Sequence, residues 1–151
     1  MRPFIDKVAP EAWKAASTYS LAVGKSAEAR GLLASEAELI KVRVSQMNAC
    51  AYCLNLHSGE ARDAGVPQQK LDMLAAWRET ELFDEREKAA LAIAEAATVL
   101  PITEEAKADL AGARAVLGDE TFVAAEWVAV SINMFNRISI LSEHPVRKRA
   151  E

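Results

Sequence analysis

Apolar and polar positions along this chain never settle into the alternation of a half-buried strand: no run of alternating β-branched residues sits between turn signals. Alanine is abundant, and only six glycines and five prolines interrupt it, so the pattern predicts an all-helical protein. Pro10, at a first helical position, opens a helix to about Arg30, with Gly31 behind it. Ser35 followed by Glu38 has the spacing of a capping box for a second helix, which should reach about Asn48. A third runs from about Cys50 to Ala64, and Gly65 stands where a left-handed C-terminal cap belongs. Pro67 starts a short fourth helix, and Asp84-Glu85-Arg86-Glu87 carries a second capping box for a fifth, which Pro101 stops after about Leu100. Thr103 caps a sixth that ends near Gly118. The last helix, from Glu120 to about Ser142, is apolar on most of its faces through Phe122, Trp127, Val130, Met134, Ile138 and Leu141. A helix of that kind is central or at an interface. No repeat, linker or low-complexity tract breaks the series, so the expectation is all-α: a single-domain helical bundle of about seven helices over residues 1–151.

Composition narrows the function. The chain has 151 residues, 51% of them hydrophobic, which is enough for one domain with one sizeable core. A formal charge of -4 argues against a nucleic-acid groove, because phosphate binding needs clustered Lys and Arg that are missing here. The one basic cluster, Arg147-Lys148-Arg149, reads as a solvated tail. The first residues lack the apolar core of a signal peptide, and no apolar run approaches the roughly 20 residues that span a bilayer. The expectation is a cytoplasmic protein with no membrane partner. In that reducing compartment, two cysteines are more often catalytic or metal-binding than a structural staple.

The two cysteines lie in Cys50-Ala51-Tyr52-Cys53-Leu54-Asn55-Leu56-His57. On a helix, steps of about 100° place Cys53 and His57 within an arc of about 60° of Cys50, so two thiols and a base share one face. A structural zinc site wants four ligands, commonly a second Cys/His pair, and the only other histidine is His144 near the chain end. Cys50, Cys53 and His57, with a carboxylate, are the residue of that metal reading. The inert reading makes the cysteines small hydrophobes and His57 an ordinary core histidine. Three such residues converging on one face favour a third reading, a dithiol that cycles to a disulfide while His57 moves the proton that controls thiolate formation. No metal and no cofactor are expected. Glu38 and Glu60 are the nearest acidic residues that could hold the imidazole tautomer. Glu60 follows His57 by three residues but drifts from the thiol face. Glu38 lies on the preceding helix, where its ordinary role would be the capping partner of Ser35.

Glu38, Cys50-x-Tyr52-Cys53-x3-His57 and the following Gly65 resemble the core motif of the AhpD-like alkylhydroperoxidases in the carboxymuconolactone decarboxylase superfamily. The similarity extends from about residue 34 to 74. The resemblance implies an AhpD-like helical fold, with Cys53 as the thiol that attacks peroxide, Cys50 as the resolving thiol, and Glu38 with His57 as a proton relay. The helix dipole alone would favour Cys50 as the more acidic thiol, whereas the family pattern favours Cys53, one turn from His57. One family form carries histidine between the cysteines where this chain has Tyr52, as many relatives do. Asn133, Asn136 and Arg137 match a late pattern common among relatives, and hydrogen bonding in a core or interface is their favoured role over substrate contact.

The function implied is a thiol peroxidase that reduces a hydroperoxide substrate, is recycled by an external dithiol or protein reductant, and forms a homo-oligomer, trimer or hexamer. Two rivals are a non-redox carboxymuconolactone decarboxylase-like enzyme, which would not rely on the cysteine pair, and a non-catalytic thiol redox sensor.

Overall fold

The computed structural model describes residues 1–150, and the regular elements among them are all helices. They are α1 (Ile5–Val8), α2 (Pro10–Ala29), α3 (Ala34–Met47), α4 (Ala51–Asp63), α5 (Gln68–Asp72), a 3-10 turn segment (Leu74–Glu79), α6 (Glu85–Thr98) and α7 (Glu104–Ser142). The all-helical expectation holds, with two differences in detail. A short α1 precedes Pro10. The fourth predicted helix is α5 followed by the 3-10 segment. The last two predicted helices lie on either side of Gly118 within the span Glu104–Ser142, called α7 here: Gly118, at φ 75° and ψ 161°, leaves the helical conformation where the sequence expects the break, and those angles suit glycine.

Most helix ends follow from local chemistry. Asp84 accepts the Glu87 N–H at 2.8 Å while Glu87 accepts the Asp84 N–H at 3.0 Å, a complete capping box. Thr103 Oγ1 accepts the Ala106 N–H at 3.1 Å. Gly65, at φ 88°, closes α4 by donating to Arg62 O while Val66 donates to Ala61 O, the paired bonds of a left-handed cap. The expected box at Ser35 and Glu38 is corrected. Leu33 is the N-cap, its N–H is accepted by Glu36 Oε2 at 2.9 Å, and the helix therefore starts two residues earlier. Glu38 is left free for another task.

Packing places α3, α6 and α7 at the centre. The alanines of α6, among them the buried Ala89, Ala90 and Ala94, let its neighbours approach closely. One apolar cluster lies between α2, α3, α6 and α7 around Ile40, Val44, Ile93, Ala125, Val128 and Ile132. A second, around Leu39, Val42, Leu71, Leu74, Trp77 and Leu91, fixes the inner faces of α3 and α6 against α4, α5 and the 3-10 segment. Buried charges are paired: Arg86 grips Glu36 through two bonds of 2.7 and 2.9 Å, and Glu95 accepts Trp77 Nε1 at 2.8 Å beside Arg43 and Arg78. No helix among the described residues is long and apolar enough to cross a membrane.

Candidate active site

The site is built on the corner between α3 and α4. Ala49 takes a left-handed conformation, φ 53°, that reverses the chain within three residues. Asn48 secures the turn from one side, its Nδ2 donating to Asn133 Oδ1 at 2.9 Å and Asn136 Oδ1 at 3.0 Å. Asn136 is fully buried and donates in turn to Ser45 Oγ at 3.1 Å. The polar positions of α7 thus serve as hydrogen-bonding partners of the corner, and Arg137 Nη1 bonds back to Asn133 O and Oδ1.

Cys50 is the N-cap of α4 rather than its first helical residue, and its sulfur accepts the Cys53 N–H at 3.4 Å. Cys50 and Cys53 are joined as a disulfide with Cα atoms 5.4 Å apart. Both are buried, at 2% and 3% exposure. Cys53 nevertheless borders a cavity of about 360 Å³, walled by Trp13, Leu56, Ile132, Phe135 and Ile138, with His57 and Lys41 on its polar side.

The corner folds α4 back along α3, which brings Glu38 to His57. Nδ1 of His57 lies 3.1 Å from Glu38 Oε2 and 3.0 Å from Glu60 Oε2. The other oxygen of Glu38 accepts from Lys41 Nζ at 2.9 Å. Two carboxylates facing Nδ1 select the tautomer with its hydrogen there, and in the neutral ring Nε2 is then the acceptor. Burial pushes the Glu38 carboxyl up, but the His57 hydrogen bond and the charge and hydrogen bond of Lys41 outweigh it, so the group is held below its ordinary value.

The four residues singled out in the sequence, Glu38, Cys50, Cys53 and His57, therefore stand together. In the disulfide form the two sulfurs offer no thiolate ligand, so Cys50 and Cys53 are open to a cation only when reduced. The residues able to hold a cation are Glu38, His57 and Glu60, whose donor atoms lie within 4.8 Å of one another, although Lys41 already supplies a positive charge to Glu38. Lys41 escaped the sequence reading, and its signal was there: it follows Glu38 by three residues, the spacing of an ion pair along a helix. A second group had no such signal. His144 Nε2 lies 2.9 Å from Asp6 Oδ1 and its Nδ1 lies 3.1 Å from Ser139 Oγ, with the Phe4 and Tyr52 rings 4.8 and 5.3 Å away. Asp6, Tyr52, Ser139 and His144 close the far wall of the Cys53 cavity, the Asp6–His144 contact spanning 138 positions of chain.

Fold and site together define a helical-bundle protein with a Cys-x2-Cys pair set beside a carboxylate–imidazole pair. The chain belongs to the carboxymuconolactone decarboxylase family, whose model matches residues 10–96, and it is an AhpD-like member of that family. It is 39% identical over 103 residues to the uncharacterized protein YdfG of Bacillus subtilis, covering 68% of this chain and 70% of that one. It is 37% identical over 65 residues to the uncharacterized protein YnjA of Escherichia coli, covering 43% and 36%. Among solved structures it is similar to a protein of unknown function from Agrobacterium tumefaciens, described as a candidate antioxidant defence protein AhpD. There the TM-score is 0.80 and the identity 31%, over 97% of this chain and 99% of that one.

Proposed function

We propose that the protein is a thiol peroxidase that reduces organic hydroperoxides through Cys50 and Cys53. One observation carries this reading: the cysteine pair lies against the His57–Glu38 pair, and Cys53 borders a cavity large enough for a small organic molecule. In the reduced protein, Nε2 of His57 takes the Cys53 proton, and the thiolate attacks the O–O bond. The S–O bond forms, the O–O bond breaks, and the leaving alkoxide takes a proton from the imidazolium that Glu38 and Glu60 face. Cys50 then attacks the sulfenic acid, giving the disulfide and water. An external dithiol returns both cysteines to thiols by exchange and becomes a disulfide itself.

The two cysteines differ in a way that suits this division. Cys50 occupies the N-cap of α4 and accepts a backbone N–H, an environment that stabilises a thiolate and makes Cys50 the better leaving group when the disulfide is opened. Cys53 borders the cavity and has His57 one helical turn away. The dipole preference for Cys50 and the family preference for Cys53 thus describe different steps. The reading also includes a cytoplasmic location and a homo-oligomer.

Hydroperoxide consumption with a dithiol reductant should fall to background in Cys53→Ser. Cys50→Ser should leave a sulfenic acid on Cys53 that a dimedone probe captures, read by mass spectrometry. An unchanged rate in Cys53→Ser would rule the assignment out.

A further inference from the structure

Most cations of this acidic protein already have a carboxylate partner. Arg30, Lys41, Arg43, Lys70, Arg78 and Arg86 each meet one within 3.1 Å. At the Tyr52 end of α4 two neighbouring cations do not. Lys7 and Arg147 make no ion pair among the described residues; Asp6, next to Lys7 in the chain, is held by His144 at 2.9 Å, and Glu143, four residues before Arg147, by Arg2 at 3.0 Å. Lys7 Nζ stands 4.9 Å over the Phe4 ring. The tail that reads as solvated in the sequence is docked here, with Arg149 Nη2 donating to Asn55 O at 2.7 Å.

Lys7 and Arg147 border a groove of about 460 Å³ together with Phe4, Asn55 and Pro145. Asp6, Tyr52, Leu56 and His144 border both this groove and the Cys53 cavity, so the two adjoin across one wall. One chamber is largely apolar and reaches Cys53, and the other offers two cations with no ion pair among the described residues. A chain with a net charge of -4 repels anions as a whole, so a local pair of cations is a means of admitting one at a chosen place.

We propose that the outer groove binds the carboxylate of an amphipathic ligand whose apolar body lies in the Cys53 cavity. Arg147 supplies a planar fork that suits a carboxylate, Lys7 a point charge, and the Tyr52 and His144 rings the threshold between head and tail. Together with the peroxidase reading, on which only this last step rests, the substrate class is a hydroperoxide that carries a carboxylate at the end remote from the peroxy group.

The test uses unreactive probes, so that its failure is separable from any failure of the peroxidase reading. Octanoate and 1-octanol share a tail and differ in charge. Titration calorimetry on the full-length disulfide form should detect octanoate binding that weakens with added salt. In the double variant Lys7→Gln/Arg147→Gln, octanoate affinity should fall about tenfold or more and 1-octanol affinity change by less than about twofold. Lys25→Gln, an exposed lysine on α2, should leave octanoate affinity unaltered. Absence of octanoate binding, equal affinity of the double variant for octanoate, or an equal loss for both probes would overturn the proposal.

Discussion

Glu38 has its two oxygens committed to different partners, Oε1 to Lys41 and Oε2 to His57, in surroundings that leave it 8% exposed. Such a carboxylate is stable only because both partners are present; burial by itself would favour the neutral acid. The consequence for stability has a definite sign. A carboxyl whose folded pKa lies below its unfolded value, about 4.3, contributes stability above that value and loses it as pH falls through the folded pKa. Lys41→Met removes one of the opposing causes and moves the folded pKa of Glu38 up. The variant should be less stable at neutral pH, and the part of its acid-induced loss of stability that comes from Glu38 should be smaller and complete at a higher pH, read by denaturation followed by circular dichroism along a pH series. Resonances of the Glu38 carboxyl should titrate higher in the variant, and an unmoved titration would contradict the role given to Lys41. Glu38 shows where residue-level legibility in the sequence ended. Spacing made it a capping residue or one of two carboxylates near enough in sequence to serve His57, and only the family resemblance chose it over Glu60. The contact itself depends on the fold-back at Ala49, a left-handed alanine that no propensity rule anticipates.

At the scale of the helices, local chemistry was legible and long-range chemistry was not. The Asp84 box, the Thr103 cap, the break at Gly118 and the left-handed Gly65 all stand where short sequence patterns put them, because each is satisfied within five residues. The start of α3 went astray because Glu36 and Glu38 are both close enough to serve as capping partners. What separates them is Arg86, 50 residues away, which holds Glu36 where it also accepts the Leu33 N–H. The α3–α4 corner depends likewise on α7, through Asn136. Asn136→Ala removes the acceptor facing Asn48 and the donor facing Ser45, leaving buried polar groups with fewer partners. The variant should lose about 1–3 kcal/mol in urea denaturation. Amide exchange should quicken at Asn48, Ala49 and Cys50 before it does so in α6, whereas a uniform change would mean that Asn136 supports the core at large rather than the corner.

The whole molecule buries one side of α7 and leaves another uncovered. Ala124, Ala125, Val128, Ala129 and Ile132 enter the core, while Val123, Trp127 and Val130 are 43%, 49% and 50% exposed along the opposite side. Those three repeat at helical spacing and share a shallow cavity with Ile102 and Leu110, so they form one patch rather than scattered residues. A helix apolar on most of its faces was read from the sequence as central or interfacial, and α7 has one face suited to each. Covering the exposed half of Trp127, roughly 100 Å², is worth about 2.5 kcal/mol, and a symmetric assembly gains that at every interface it closes. In light scattering after gel filtration, the protein should therefore run at a multiple of its 16.4 kDa chain mass. Trp127→Glu places a charge in the middle of the patch and should shift the mass to a monomer while the helical circular dichroism is kept, since the side chain is half outside the core. A monomeric unsubstituted protein at tens of micromolar would reject the oligomer, and an unchanged mass in the variant would move the interface to another face. The Cys53 cavity gives the experiment its functional reading: loss of peroxidase activity with the oligomer would mean that a neighbouring copy completes the cavity wall, and retention would mean that each chain holds a whole site.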